Sequence, residues 1–199
     1  YIIMITRTEL INHLIKKYNF ESFLEIGVRN PKKGNFCKVK CKKKIGVDPE
    51  PIIKMNEIYV GTSDEYFKNL NNDEKFDIIF IDGLHLEEQV DKDIKNSLNH
   101  LSKNGFVMLH DCNPPTEFHQ RKEYCVDGRY PSWNGTVWRS IAKLRMNNKR
   151  LKIHVVDTDW GVGVIKPGKQ KLFKTDQDLT YKLLEDNRKE LLNLISTDE

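Results

Sequence analysis

Seven short apolar runs dominate the middle of the chain, each too short for a buried helix and most of them ending in a polar or charged residue. They are FLEIGV (23–28), KIGVD (44–48), EIYVG (57–61), FDIIFID (76–82), GFVMLHD (105–111), KIHVVD (152–157) and GVGVIK (161–166). A strand buried on both faces is continuously apolar rather than alternating, and DIIFI is continuous. Between the fourth and fifth runs, Val90, Ile94, Leu98 and Leu101 share one helical stripe that the spacing predicts to end at Gly105. Strands alternating with helical stretches build βαβ units around a mostly parallel sheet. Only TDW separates the last two runs, too little for a crossover helix, so they are expected to pair antiparallel at the sheet edge. RTELINHLIKKY (7–18) predicts an opening helix with Thr8 as its N-cap, and 177–196 a closing helix carrying Leu179, Leu183, Leu184, Leu191, Leu192 and Ile195. The expected architecture is α/β: a doubly wound, mostly parallel seven-stranded sheet with a C-terminal antiparallel hairpin strand.

A length of 199 residues suits one domain with a substantial core. The expected division is a helix over 1–20, a core of sheet and helices over 21–166, and a C-terminal helix within 167–199. No apolar run approaches the roughly 20 residues that span a bilayer, and the opening YIIMIT is too short for an export signal. A cytoplasmic protein with no membrane partner is therefore expected. The net charge of +4 is concentrated in PKKGNFCKVKCKKK (31–44), which is either a patch for an anionic polymer or a solvated face. Cys37 and Cys41 are spaced more widely than a zinc knuckle and no second close pair answers them, so reduced thiols are expected.

In doubly wound sheets ligands gather outside the carboxyl ends of the strands. The polar residues that follow the runs are the candidates: Glu25 and Gly27, then Asp48, Ser63 with Asp64, Asp82 with His85, and His110 with Asp111. Asp48 lies about 20 residues beyond the Gly27 turn, where a nucleoside binder places an acid on the ribose hydroxyls. The loop EIGVRNPKKG lacks the glycine pattern that brings backbone close to a pyrophosphate. This favours a nucleoside ligand without phosphates over a dinucleotide.

The ordered set FLEIGV, GVDP, GTSDEYF, FDIIFIDGLH and GFVMLHDCNPPTE resembles class I S-adenosylmethionine-dependent methyltransferases. The likeness is to the small ones found beside glycan and natural-product sugar genes, and it covers about residues 20–166. The family usually has a second glycine two residues after the first, where this chain has Arg29. The resemblance implies the Rossmann-like methyltransferase fold and S-adenosyl-L-methionine as cofactor. It places Glu25 and Gly27 at the methionine end, Asp48 on the ribose, Ser63 and Asp64 near the adenine, and Asp82 on the cofactor-facing floor. His85 is the implied base for an acceptor hydroxyl, with His110 next to it, since imidazole titrates close to neutrality. Metal-dependent relatives hold Mg²⁺ at positions that Asp82 and Asp111 match, although Cys112 stands at the third and only Asn113 beside it offers oxygen. Structural roles stay open to the same residues: Asp82 could cap a helix and Asp111 could hold a turn.

Residues 112–138 form a long connection without periodicity, either a lid or an ordered loop packed on the core. Its His119, Arg121, Tyr124, Tyr130, Trp133 and Asn134 are side chains suited to stacking on a sugar ring and bonding its hydroxyls. The expected acceptor is a small molecule or a glycan. Two other classes compete with this reading. An RNA-binding or RNA-modifying protein would use 31–44, but that run lacks interleaved aromatics. An NAD(P)-dependent oxidoreductase would need a phosphate-binding first loop.

Overall fold

The computed structural model describes residues 5–198; the stretch 1–4, part of the opening weighed as an export signal, lies outside them. The first helix, α1, runs Arg7–Tyr18. Its N-cap is Thr6 rather than Thr8. The Thr6 hydroxyl accepts from the Glu9 N–H and the Glu9 carboxylate takes the Thr6 N–H, a capping box that satisfies two end groups at once. Thr8 instead donates its hydroxyl to Asn35. The strands are β1 Ser22–Ile26, β2 Lys43–Asp48, β3 Ile58–Val60, β4 Phe76–Ile81, β5 Leu101–Leu109, β6 Leu151–Val156, β7 Val162–Pro167 and β8 Leu194–Ile195. The remaining helices are α2 Ser63–Asn69, α3 Glu87–Asn99, α4 Val137–Asn147 and α5 Tyr181–Leu192. Among the described residues there are thus eight strands, one more than the seven expected.

Internal packing divides the chain into two units. The first runs to Leu84 and resumes over Asp91–Met108. Its strands follow the order β3-β2-β1-β4-β5, with β1 parallel to both β2 and β4 and β2 parallel to β3. Ile26 is in register with Val47 on one side and Ile81 on the other, so Gly27, Asp48 and Asp82 leave the sheet at one edge. Phe23, Leu24, Phe76, Ile78, Ile79 and Phe80 are fully buried, each contributing roughly 1.5–3 kcal/mol over exposure. α2 is only seven residues long and was not anticipated, although Thr62 and Glu65 form its capping box. α3 ends at Asn99 instead of reaching Gly105. Gly105 lies inside β5, where a Cβ would come within 2.6 Å of the Asp77 carbonyl oxygen.

The second unit comprises His85–Val90 and the chain from Leu109 onward. β6 and β7 pair antiparallel across the short turn, as expected. The predicted closing helix is shorter than 177–196: Leu179 precedes the N-cap Thr180, and Asn193 turns left-handed at φ 49°. Leu194 and Ile195 then pair parallel with Val155 and Val156, covering an edge of β6 that would otherwise expose unpaired backbone. Trp138, Ile141 and Ala142 on α4 are fully buried. Among the described residues no helix is long and apolar enough to cross a membrane.

Candidate active site

In the first unit, Gly27 leaves β1 at φ 87° with its N–H bonded to the Val47 carbonyl. A Cβ there would sit 2.2 Å from the Asp82 carbonyl oxygen, so only glycine fits. Arg29, in place of the family's second glycine, adopts a glycine-like φ of 46° nonetheless. Such a conformation costs an L-residue about 1–2 kcal/mol. Asp48 offsets this: one carboxylate oxygen accepts from the Arg29 N–H at 2.7 Å and the other from the Glu50 N–H at 2.8 Å. The β2 acid therefore orders the loop after β1, and its oxygens keep lone pairs for further donors.

Glu25 is 2% exposed, and its Oε2 has no hydrogen-bond partner among the described residues. Oε1 has only the Asn35 amide, at 3.5 Å. Burial, and then the nearby Asp82 carboxylate, push its pKa up to about 8. Arg7 lies 3.8 Å from Asp82. Ser63 donates to the buried Asp93 at 2.6 Å, and Asp64 meets Lys92 at 3.2 Å. Both begin α2. The lysines of 31–44 have local partners in several places: Lys44 donates to the Phe36 and Val39 carbonyls, Lys38 to the Lys33 carbonyl, and Lys43 pairs with Glu74.

The second unit holds His85 and His110. One oxygen of the buried Asp111 accepts from the Asn134 amide at 2.7 Å. The other lies 3.1 Å from Nδ1 of His85 and 3.1 Å from Nδ1 of His110. His85 is braced by the NGT turn at 134–136. The Thr136 N–H bonds its carbonyl at 2.8 Å, and Gly135, at φ 61°, leaves no room for a Cβ against that carbonyl. Trp133 stacks on the His85 ring at 5.2 Å and 19°. Cys112 is buried, and Asn113 is held between Asp157 and Arg188.

The loop 112–138 is stapled internally. Arg121 donates to the carbonyls of Phe118, Pro131 and Ser132, and Trp133 donates its indole N–H to the Arg121 carbonyl. Tyr124 and Tyr130 continue the aromatic row from Trp133 and stay open to solvent, Tyr130 at 66%. Sequence reasoning did not single out Asn35, Gly135 or Asp159. The NG turn in WNGTVW could have flagged Gly135, whereas Asn35 and Asp159 carry no local signature.

Residues 42–112 match the family model described as a methyltransferase domain. No curated protein matches the sequence significantly. Among solved structures, the chain resembles the SAH-bound methyltransferase PaMTH1 of Podospora anserina, at 16% identity and a TM-score of 0.61 over 82% of this chain and 78% of that one. It also resembles the O-methyltransferase TomG of Streptomyces achromogenes, involved in tomaymycin synthesis and solved with SAM: 12% identity, TM-score 0.57, 81% and 79% covered. An SAH-bound O-methyltransferase of Bacillus cereus aligns at 13% identity and TM-score 0.53, over 81% and 80%. The fold is that of class I S-adenosylmethionine-dependent methyltransferases, and the family match falls on its β2–β5 stretch. The resemblance drawn from the motifs is borne out at this level.

Proposed function

We propose that the chain is an S-adenosylmethionine-dependent O-methyltransferase in which the strand ends at Gly27 and Asp48 bind the cofactor and His85 serves as base for a small hydroxyl or carbohydrate acceptor. The observation that carries the reading is Asp48: within a methyltransferase fold, a 7%-exposed acid ends β2 and orders the loop after β1. The residues present suit the cofactor. Glu25 offers an unpartnered buried acceptor near the Gly27 turn, where no side chain fits. When bound, S-adenosylmethionine supplies an electrophilic methyl on a sulfonium. Asp48 accepts the ribose hydroxyls, Glu25 and Asp82 border the methionine end, and Ser63 and Asp64 lie towards the adenine. His85 takes the acceptor's proton, with Asp111 orienting its ring and Trp133 packed on its face. Tyr124 and Tyr130 give the acceptor an aromatic surface.

Calorimetry with S-adenosylhomocysteine and with NAD tests the cofactor assignment. Binding of the first and not the second is expected. Asp48→Ala, still folded by circular dichroism, should weaken S-adenosylhomocysteine binding at least about tenfold, since truncation strands polar groups. Equal affinity in the folded variant would remove Asp48 from the ribose.

Asp111 Oδ1 accepts one amide N–H and keeps a lone pair, while Oδ2 faces the two imidazoles. Base catalysis by His85 is the reading put forward, and a divalent ion on Asp82 and Asp111 is the alternative that chelation separates from it. Turnover should survive EDTA. If it is lost with chelator and restored by Mg²⁺ or Mn²⁺, the acids are ligands and His85 is not the unaided base.

A further inference from the structure

His110 sits between two carboxylates. Its Nδ1 is 3.1 Å from Asp111 Oδ2 and its Nε2 is 3.5 Å from Asp159 Oδ1, and its side chain is almost buried. Both acids occupy left-handed backbone, Asp111 at φ 61° and Asp159 at φ 46°, and Trp160 follows at φ 65°. Such conformations persist where the surroundings over-determine them, and they cluster at functional sites. The surroundings here are explicit. The N–H groups of Cys112 and Asn113 bond the carbonyls of Gly161 and Trp160, both at 2.9 Å. Gly161 has no room for a Cβ against Asn113, which would lie 2.4 Å away. The β6–β7 turn is thus locked onto the turn that follows β5. Aspartate enters this left-handed backbone more readily than most side chains, and here its carboxylate faces the His110 ring.

We propose that Asp159 is a positioning residue: with Asp111 it clamps the His110 ring at both nitrogens, making His110 a fixed bridge between carboxylates and leaving proton transfer to His85. This rests on the methyltransferase reading only for its catalytic consequence, because the clamp itself is a matter of geometry. An imidazole held at both nitrogens cannot turn to take a proton from an acceptor. It does fix the Asp111 carboxylate that faces His85.

The test uses Asp159→Gly, which accepts the backbone conformation and removes the carboxylate, and Asp159→Asn, which keeps an acceptor oxygen. Long-range proton–nitrogen NMR of the histidine rings reads the clamp directly. In the wild-type protein the His110 Nε2 hydrogen should be protected from solvent exchange. Asp159→Gly should abolish that protection, and Asp159→Asn should restore part of it. Turnover should fall in Asp159→Gly and recover in part in Asp159→Asn, with KM and S-adenosylhomocysteine affinity unchanged. A His110 spectrum that Asp159→Gly does not alter overturns the proposal. Should that variant fail to fold, the wild-type spectrum decides: rapid exchange at Nε2 overturns the clamp and protection supports it. The spectrum requires no acceptor, so the clamp stands or falls separately from methyl transfer.

Discussion

Replacing His85 with glutamine is expected to lower methyl-transfer turnover by roughly 10²–10⁴ and to leave S-adenosylhomocysteine affinity unchanged. Glutamine preserves bulk and a hydrogen-bonding group but cannot take a proton. The backbone around the substitution is held independently of the ring: the Thr136 N–H bonds the residue 85 carbonyl, and Gly135 packs against it with no space for a side chain. Trp133 can stack on the replacement's amide much as it does on imidazole. The loss would therefore report chemistry rather than collapse. The measurement is single-turnover methyl transfer beside calorimetry on the same preparation. Near-normal turnover would make His85 a structural residue, and an equal loss on His110→Gln would point to the imidazoles acting as one unit. Loss of cofactor affinity along with turnover would move His85 out of the acceptor side altogether.

The parts of the molecule that were legible in the sequence are those whose physical cause is local. Two-sided burial leaves a continuous apolar run whatever the neighbours are, so β1, β2 and β4 fall within a residue or two of FLEIGV, KIGVD and FDIIFID. Asp48 was visible because strand length and turn length fix its distance from Gly27. The α3–β5 boundary was hidden because Leu98, Leu101 and Gly105 continue a helical spacing into residues that are extended. β8 was hidden for the same reason: Ile195 keeps helical register with Leu191 and Leu192, and only the open edge of β6 draws it out. The proposed acid–base group was half legible. His85, His110 and Asp111 stand at strand ends, but Asp159 lies in a three-residue turn where no periodicity marks a functional side chain. Its partner is 49 positions away in sequence, His110, so folding alone brings the two together. At Arg29 the sequence departs from the glycine of the methyltransferases it resembles, yet the residue takes a left-handed φ of 46° that glycine favours, held by the Asp48 carboxylate.

That same edge of the first unit carries a cost that pH should expose. Glu25 is 2% exposed; among the described residues one of its oxygens has no hydrogen-bond partner and the other lies 3.5 Å from the Asn35 amide. Burial first, and the Asp82 carboxylate second, raise its pKa from the ordinary 4.5 to about 8, while Asn35, Arg7 and Lys44 pull the other way. The folded protein thus keeps the Glu25 proton up to about pH 8, whereas the unfolded chain gives it up near 4.5. Between those values the unfolded state binds fewer protons, so this group's contribution to stability is full below pH 4.5 and is lost as pH rises towards 8. Each pH unit inside the window is worth about 1.4 kcal/mol, which makes the total a few kcal/mol, reduced by whatever local relaxation admits water. Glu25→Gln has nearly the same shape and no proton to lose. Urea unfolding of the two proteins from pH 5 to pH 9 should show the variant gaining on the wild type by a few kcal/mol as pH rises, at constant m-value. Parallel pH curves would show that Glu25 ionises alike in both states.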